Sequence, residues 1–389
     1  MAGVSINIKP EIIKWILHVI QFEDVTDATI EILNKWQAGE KIPTFNQIED
    51  MSRKTNIPFG YFFLDKPPIE KYSIVDYRTI NSANITEPSR ELMEIVDLMT
   101  DIQEWMVEYV TENGQEELEY VGSIENTTNI QVAVNDIRER LEIDIDWYAN
   151  TKNIGEAFRF LKKKIENVNI LVMMSGIVGN NTHRKLNIDE FRAFTLVNKY
   201  VPLIFINSCD SETGKIFSIV HELVHVWIGE NSFYNVPMDV NNISHRTEQF
   251  CNSVAAELLI PTEKFLEKWE ENNKEEIDKI DTIAKAFRCS KYVVARKALD
   301  NKKISQSTYE QIVTKLRKEF IEWQKKQKEN KNIGGDYYRN LASKIDKRFI
   351  MALARSASEG KVQYTEVYRL TNTNRKTFEK LLDEMGGVN

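Results

Sequence analysis

Cysteine is scarce in this chain. The three present, Cys209, Cys251 and Cys289, lie far apart and form no CxxC pair, which argues against a disulfide framework or a thiolate zinc site. Long apolar runs are missing too. Stretches such as that around Ile204 and Phe205 fall far short of the ~20 residues that cross a bilayer. The opening MAGVSINIKPEIIKWI has no basic segment followed by an apolar one. No signal peptide and no membrane partner are therefore expected, and the protein is expected to be soluble and cytoplasmic. Basic residues are not in excess: 51 Lys and Arg against 59 Asp and Glu leave a net charge of −8. That balance argues against a surface that clings as a whole to nucleic acid or anionic lipid. Nine Pro and 15 Gly exclude collagen-like and low-complexity classes. What remains is a globular composition, 42% hydrophobic over 389 residues, enough for sizeable cores in two or three domains.

Four stretches follow from the patterning. Residues 1–68 read as short helices. Pro10 suits a first helical position, and Ile12, Ile13, Trp15, Ile16, Val19 and Ile20 form an apolar stripe behind it. Thr26 or Asp27 caps a second helix running to Trp36, which Gly39 and Pro43 end; Thr44 caps a third. Pro58 opens a short aromatic helix holding Tyr61, Phe62 and Phe63, and Pro67 and Pro68 close the unit. Residues 69–168 read as a helical connector, with Leu92, Ile95, Val96, Met99, Ile102, Trp105 and Met106 at helical spacing. Within 169–270 the period changes. The runs 169–174 and 201–206 predict buried strands, and strong helices are predicted over 212–229 and 244–259, the latter stopped by Pro261. Residues 271–389 read as a helical C-terminal region, with 325–332 as a frayed helix end or linker before Gly334 and Gly335.

The chemistry concentrates in the helix KIFSIVHELVHVWIG. His221 and His225 are four apart, so both imidazoles share one face and can reach one metal ion. Glu222 is one residue further round and can approach a water held there. Two His and a carboxylate base at this HExxH spacing are the parts of a hydrolytic zinc site. A catalytic zinc needs a third ligand and an open position. The next helix offers Glu248 and Glu257. Glu257 sits among Ala255, Ala256, Leu258 and Leu259 and reads as a packing or salt-bridge acid, so Glu248 is preferred. Asn252 follows Glu248 by one turn and is a candidate to hydrogen-bond a ligand His. Cys251 stands about 300° round the helix from Glu248 and is expected to face away from the metal. His245 is a candidate for oxyanion or substrate contact, against loop or cap duty.

HELVH followed by the run ExxCNxxAAELLIP from Glu248 resembles the ImmA/IrrE family of zinc-dependent peptidases. The EFRAF run at 190–194, the strand ending in Ile206 and Asn207, and Ile283, Ala284, Phe287, Ser290, Val293 and Val294 fit the same pattern. The resemblance implies Zn2+ held by His221, His225 and Glu248, with Glu222 as general base. It also implies a regulatory substrate, since such peptidases cut helix-turn-helix repressors of mobile elements or stress genes. INIKPEIIKWI, then Trp36, Gly39, Glu40, Pro43 and Thr44, then Tyr61, Phe62 and Phe63, and finally Asp76, Tyr77 and Arg78 resemble the XRE-type helix-turn-helix module often fused to these enzymes. Its second helix carries Asp27 and Glu31 against a single Lys35. DNA affinity comes mostly from cationic side chains, so weak, non-specific DNA binding is expected there.

The expected fold is α+β and mostly helical: a zincin-like metallopeptidase core between a helix-turn-helix-like N-terminal module and a helical C-terminal region. The expected function is a zinc metalloendopeptidase that cleaves a regulatory protein. The alternative is a DNA- or protein-binding transcriptional regulator whose metal site is structural or vestigial.

Overall fold

The computed structural model describes residues 5–20, 25–55, 57–68, 88–234, 246–271, 275–329 and 336–386. The described residues are mostly helical, with one small sheet among them. Helices α1 (Pro10–Val19), α2 (Asp27–Gln37) and α3 (Phe45–Thr55) and a 3-10 turn at Phe59–Phe63 enclose a core of their own. Ile12, Ile13, Ile16, Leu33, Trp36, Ile48 and Phe62 fill it, the same apolar stripe that predicts the helices. The aspartate, tyrosine and arginine at 76–78 lie outside the described residues.

After α4 (Arg90–Glu112), α5 (Ile130–Leu141) and α6 (Ile154–Asn167) come the strands β1 (Leu171–Ser175), β2 (Ala193–Leu196) and β3 (Leu203–Asn207). Helix α7 (Glu212–Ile228) follows, then β4 (Ser232–Tyr234) and α8 (Arg246–Leu259). The sheet order is β1-β3-β2-β4. β1 runs parallel to β3, whereas β2 is antiparallel to both β3 and β4. Two of these strands are not evident from periodicity. β2 has four residues and β4 three, too few for an alternating pattern to declare itself.

Strand alternation gives the sheet two buried faces. Val172, Ala193, Ile204 and Ile206 join one core with α5, α6, α7 and α8. Leu171, Met173, Phe194, Leu203 and Phe205 join a second, filled by α4 and the C-terminal helices. Gln103 on α4 is buried and donates to the carbonyls of both Leu196 and Val201, each at 2.8 Å, so the strand ends it covers are satisfied. The remaining helices are α9 (Thr262–Glu271), α10 (Glu276–Ala286), α11 (Lys291–Asp300), α12 (Gln306–Glu329), α13 (Tyr337–Lys344), α14 (Lys347–Ser358), α15 (Tyr364–Thr371) and α16 (Arg375–Glu384). The charged stretch from Lys325 to Glu329 is the last part of α12, and 330–335 lie outside the described residues. No helix among the described residues is long and apolar enough to cross a membrane.

Helix α7 is held at both ends. Ser211 caps it, its hydroxyl accepting from Gly214 N at 3.1 Å. Beside that cap Arg192, at the head of β2, donates to both oxygens of the buried Asp210 at 2.7 Å. A side chain at Gly214 would overlap this carboxylate. At the other end Gly229 takes a φ of 82°, open to glycine without strain. The carbonyls of Val226 and Trp227, which a helix end leaves unpaired, accept from Gly122 N and Ile124 N at 3.1 and 3.0 Å. A Cβ on Gly229 would stand 2.9 Å from Gly122 Cα, whereas Gly39, with φ 72°, has open space around it. Gly229→Ala is expected to cost about 2–4 kcal/mol, combining left-handed strain with overpacking. Gly39→Ala is expected to cost only the strain, about 1–2 kcal/mol. Denaturant unfolding of the two variants checks this, and equal losses would show that the Gly122 contact imposes nothing.

Candidate metal centre

The turn-to-turn spacing on α7 puts His221 and His225 side by side, and α8 brings Glu248 over them. The Nε2 atoms of the two imidazoles are 3.2 Å apart. Glu248 turns one oxygen to each, Oε2 at 3.2 Å from His221 and Oε1 at 3.3 Å from His225. Metal bonds of about 2.0–2.1 Å in a tetrahedron put neighbouring ligand atoms about 3.3–3.4 Å apart. The spacing of the two imidazole nitrogens, and the approach of one Glu248 oxygen to each, are therefore those of donors that converge on a zinc-sized ion. Among the described residues these three side chains are the group whose donors converge in this way. Both histidines are buried, while Glu248 keeps 30% of its side chain exposed, so the centre opens on the Glu248 side.

The electrostatics draw positive charge to this point. Burial would raise the Glu248 carboxyl, but hydrogen bonds and charge from His221 and His225 outweigh it and hold the group well below the ordinary carboxylate value. Burial would keep His225 neutral, but Cys251 and Glu248 overcome it and push the imidazole well above its usual value.

Glu222 is fully buried. Its Oε2 accepts from Thr195 Oγ1 at 2.6 Å and from Ser232 Oγ. Thr195 and Ser232 are register partners on β2 and β4, so the two strands absent from the sequence reading are the ones that hold this carboxylate. Oε1 has no hydrogen-bond partner among the described residues. The sequence carried a faint sign of Thr195, a polar residue inside the apolar run AFTLV. Ser232 had none.

Cys251 departs from expectation. It does not face away: it is buried and lies close enough to His225 to raise the pKa of the imidazole. A rotation of about 300° is also about 60° the other way, so residues 248 and 251 share one side of α8. Asn252 is half-buried on the same helix, and among the described residues no hydrogen bond joins it to either imidazole. His245 lies outside the described residues. Glu257 is elsewhere. Its carboxylate accepts from Thr262 N at 2.9 Å and Thr262 Oγ1 at 2.6 Å, and pairs with the buried Lys297. It thereby ties the end of α8 to the start of α9 and to α11.

Residues 165–299 match the peptidase M78 family model, an IrrE N-terminal-like domain. The matched IrrE-like stretch runs from the end of α6 to the last turn of α11 and contains every residue of the centre. It supports a metallopeptidase-like function, and with it a metal cofactor and a protein substrate. Residues 345–384, which span α14–α16, match a domain of unknown function, DUF8813. Searches of curated proteins and of solved structures found no match.

Within the IrrE-like stretch the two acids of α8 are separable by experiment. Burial raises the Glu257 carboxyl, but Lys297 and Thr262 outweigh it and lower it below its ordinary 4.5. A depressed carboxyl stabilises the fold above its unfolded value, and that contribution is lost as pH falls through the folded one. Glu257→Gln should therefore lower stability at neutral pH and flatten the loss on acidification below about 4.5, with metal content unchanged. Thermal melts across that pH range, with metal analysis, check it; loss of the metal would transfer the ligand role to Glu257.

Proposed function

We propose that this chain is a zinc-dependent endopeptidase of regulatory type, cleaving a helix-turn-helix repressor or a similar cytoplasmic regulatory protein. The observation that carries the reading is the meeting of His221, His225 and Glu248, with the two Nε2 atoms 3.2 Å apart and one Glu248 oxygen 3.2–3.3 Å from each, next to a buried carboxylate with one oxygen unpaired among the described residues. His221, His225 and Glu248 would hold zinc. When bound, zinc supplies a Lewis acid that acidifies water and polarises the scissile carbonyl. Glu222 is the general base: it takes the proton of the attacking water on Oε1 and passes it to the leaving amine. Thr195 and Ser232 occupy Oε2, which orients the carboxylate and leaves Oε1 for that transfer. β4 is an edge strand beside β2, and an extended substrate segment could add to it by main-chain hydrogen bonds. Such a mode selects for a chain that can be drawn out straight, which suits a selective enzyme.

The purified protein is expected to bind about one zinc per chain, and His221→Ala with His225→Ala is expected to abolish it. Glu222→Gln should keep the zinc and lower repressor cleavage by about 10²- to 10⁴-fold. Zinc analysis and a cleavage assay read both effects. If cellular output survives in Glu222→Gln but not in the zinc-ligand variants, the protein acts by binding and the peptidase reading fails. Thr195→Val with Ser232→Ala should keep zinc, leave KM nearly unchanged and reduce kcat about 10- to 100-fold, which steady-state kinetics would show.

A further inference from the structure

The last three helices form a compact unit. α14, α15 and α16 share the buried residues Phe349, Leu353, Val367, Leu370, Phe378 and Leu381. Only Asn372, Thr373 and Asn374 separate α15 from α16. Asn372 turns the chain with a φ of 49°, and Asn374 caps α16 by accepting from Thr377 N at 3.0 Å. A helix, a three-residue turn and a second helix on a supporting third is the layout that places the second helix in the major groove of DNA.

The exposed surface of α16 suits that role at one end. Phe378 and Leu381 point inward. The C-terminal half is covered by α13, with Lys380 over the Tyr338 ring at 4.6 Å and Arg339 3.5 Å from Glu384. The first turn is free and presents Arg375 and Lys376. Lys376 has no ion-pair partner among the described residues, and the Arg375–Glu379 pair at 2.9 Å is exposed, hence weak and easily exchanged for a phosphate. Tyr364 and Thr365 stand exposed at the start of α15. A hairpin closed by the Ile177–Lys185 bridge reaches the turn, where Asn180 Nδ2 donates to Asn372 O at 2.6 Å. Residues 345–386 carry eight basic against six acidic side chains in a chain of net charge −8. The comparable pair α10–α11, with Arg288 left-handed and Ser290 as cap, offers no such face: Val293, Val294 and Lys297 are buried, and Tyr292 lies against Tyr309 of α12.

We propose that α14–α16, flanked by the 177–185 hairpin, bind double-stranded DNA, with the first turn of α16 in the major groove. Arg375 and Lys376 meet base edges and phosphates there. Tyr364 and Thr365 meet the backbone, and the hairpin holds the flanking phosphates. This assigns a ligand to the domain of unknown function. It also puts DNA on the sheet face opposite α7, so the metal centre stays open to a protein while DNA is bound. The proposal does not depend on peptidase activity.

The test uses the full chain and a fluorescein-labelled mixed-sequence duplex of roughly 30 base pairs, long enough for several phosphate contacts, read by fluorescence anisotropy. Wild type should bind, and its affinity should fall at least about tenfold between 50 and 200 mM salt. Arg375→Ala with Lys376→Ala should weaken binding at least about tenfold and reduce the salt slope by about 2. Lys376→Arg should retain binding. Lys35→Ala, in the N-terminal module, should leave it unchanged. Both altered residues of the double variant are exposed, so its circular dichroism and melting temperature should match wild type. No binding at 50 mM salt, wild-type binding by the double variant, or loss of binding in Lys35→Ala would each overturn the proposal. So would tighter binding of a single-stranded RNA of the same sequence.

Discussion

A helix buried on nearly every side, yet carrying two imidazoles and a carboxylate, is the constraint around which this protein is arranged. His221, Glu222 and His225 have at most 2% of their surface exposed. Ionisable groups at that depth are costly unless each meets a partner. Glu248 answers both imidazoles, and Thr195 and Ser232 take one oxygen of Glu222. Those partners come from α8, β2 and β4, so the sheet and both helices must dock in one register for α7 to be tolerable at all.

That requirement explains the effort spent at the ends of α7. The Arg192–Asp210 pair is buried, and losing one partner of such a pair costs about 3–5 kcal/mol. At the other end the loop at 122–124 supplies the hydrogen bonds that the helix end lacks, and Trp227 Nε1 donates to Asp136 of α5 at 2.7 Å. A helix held at two points cannot slide, and sliding by one residue would carry His221 and His225 away from Glu248.

The sheet separates two kinds of surface. Its α7 face carries the candidate metal centre within the IrrE-like stretch. Its other face is covered by α4 and the C-terminal helices, distant in sequence and joined in one core. Asp346 shows how tightly the C-terminal unit is seated: it is buried, caps α14 through Arg348 N at 2.8 Å and pairs with the Arg348 side chain at 2.6 Å, while Arg348 also reaches the Ile170 carbonyl. The helical C-terminal region is thus part of the sheet's packing rather than an appendage.

The sequence by itself determined that His221 and His225 lie on one face, because the helical period allows nothing else for residues four apart. It also determined the long amphipathic helices and the two apolar strands, whose residues declare their period locally. Which acid stands over the histidines, Glu248 or Glu257, was a matter of preference until α8 was packed, since both project from one helix. The Thr262 and Lys297 partners of Glu257 lie on other elements. Thr195 and Ser232 sit on strands too short to show a period, and their meeting with Glu222 joins positions up to 27 residues apart. Tertiary structure decided these because partner choice among buried polar groups depends on contacts between elements, and periodicity within one element carries no information about them.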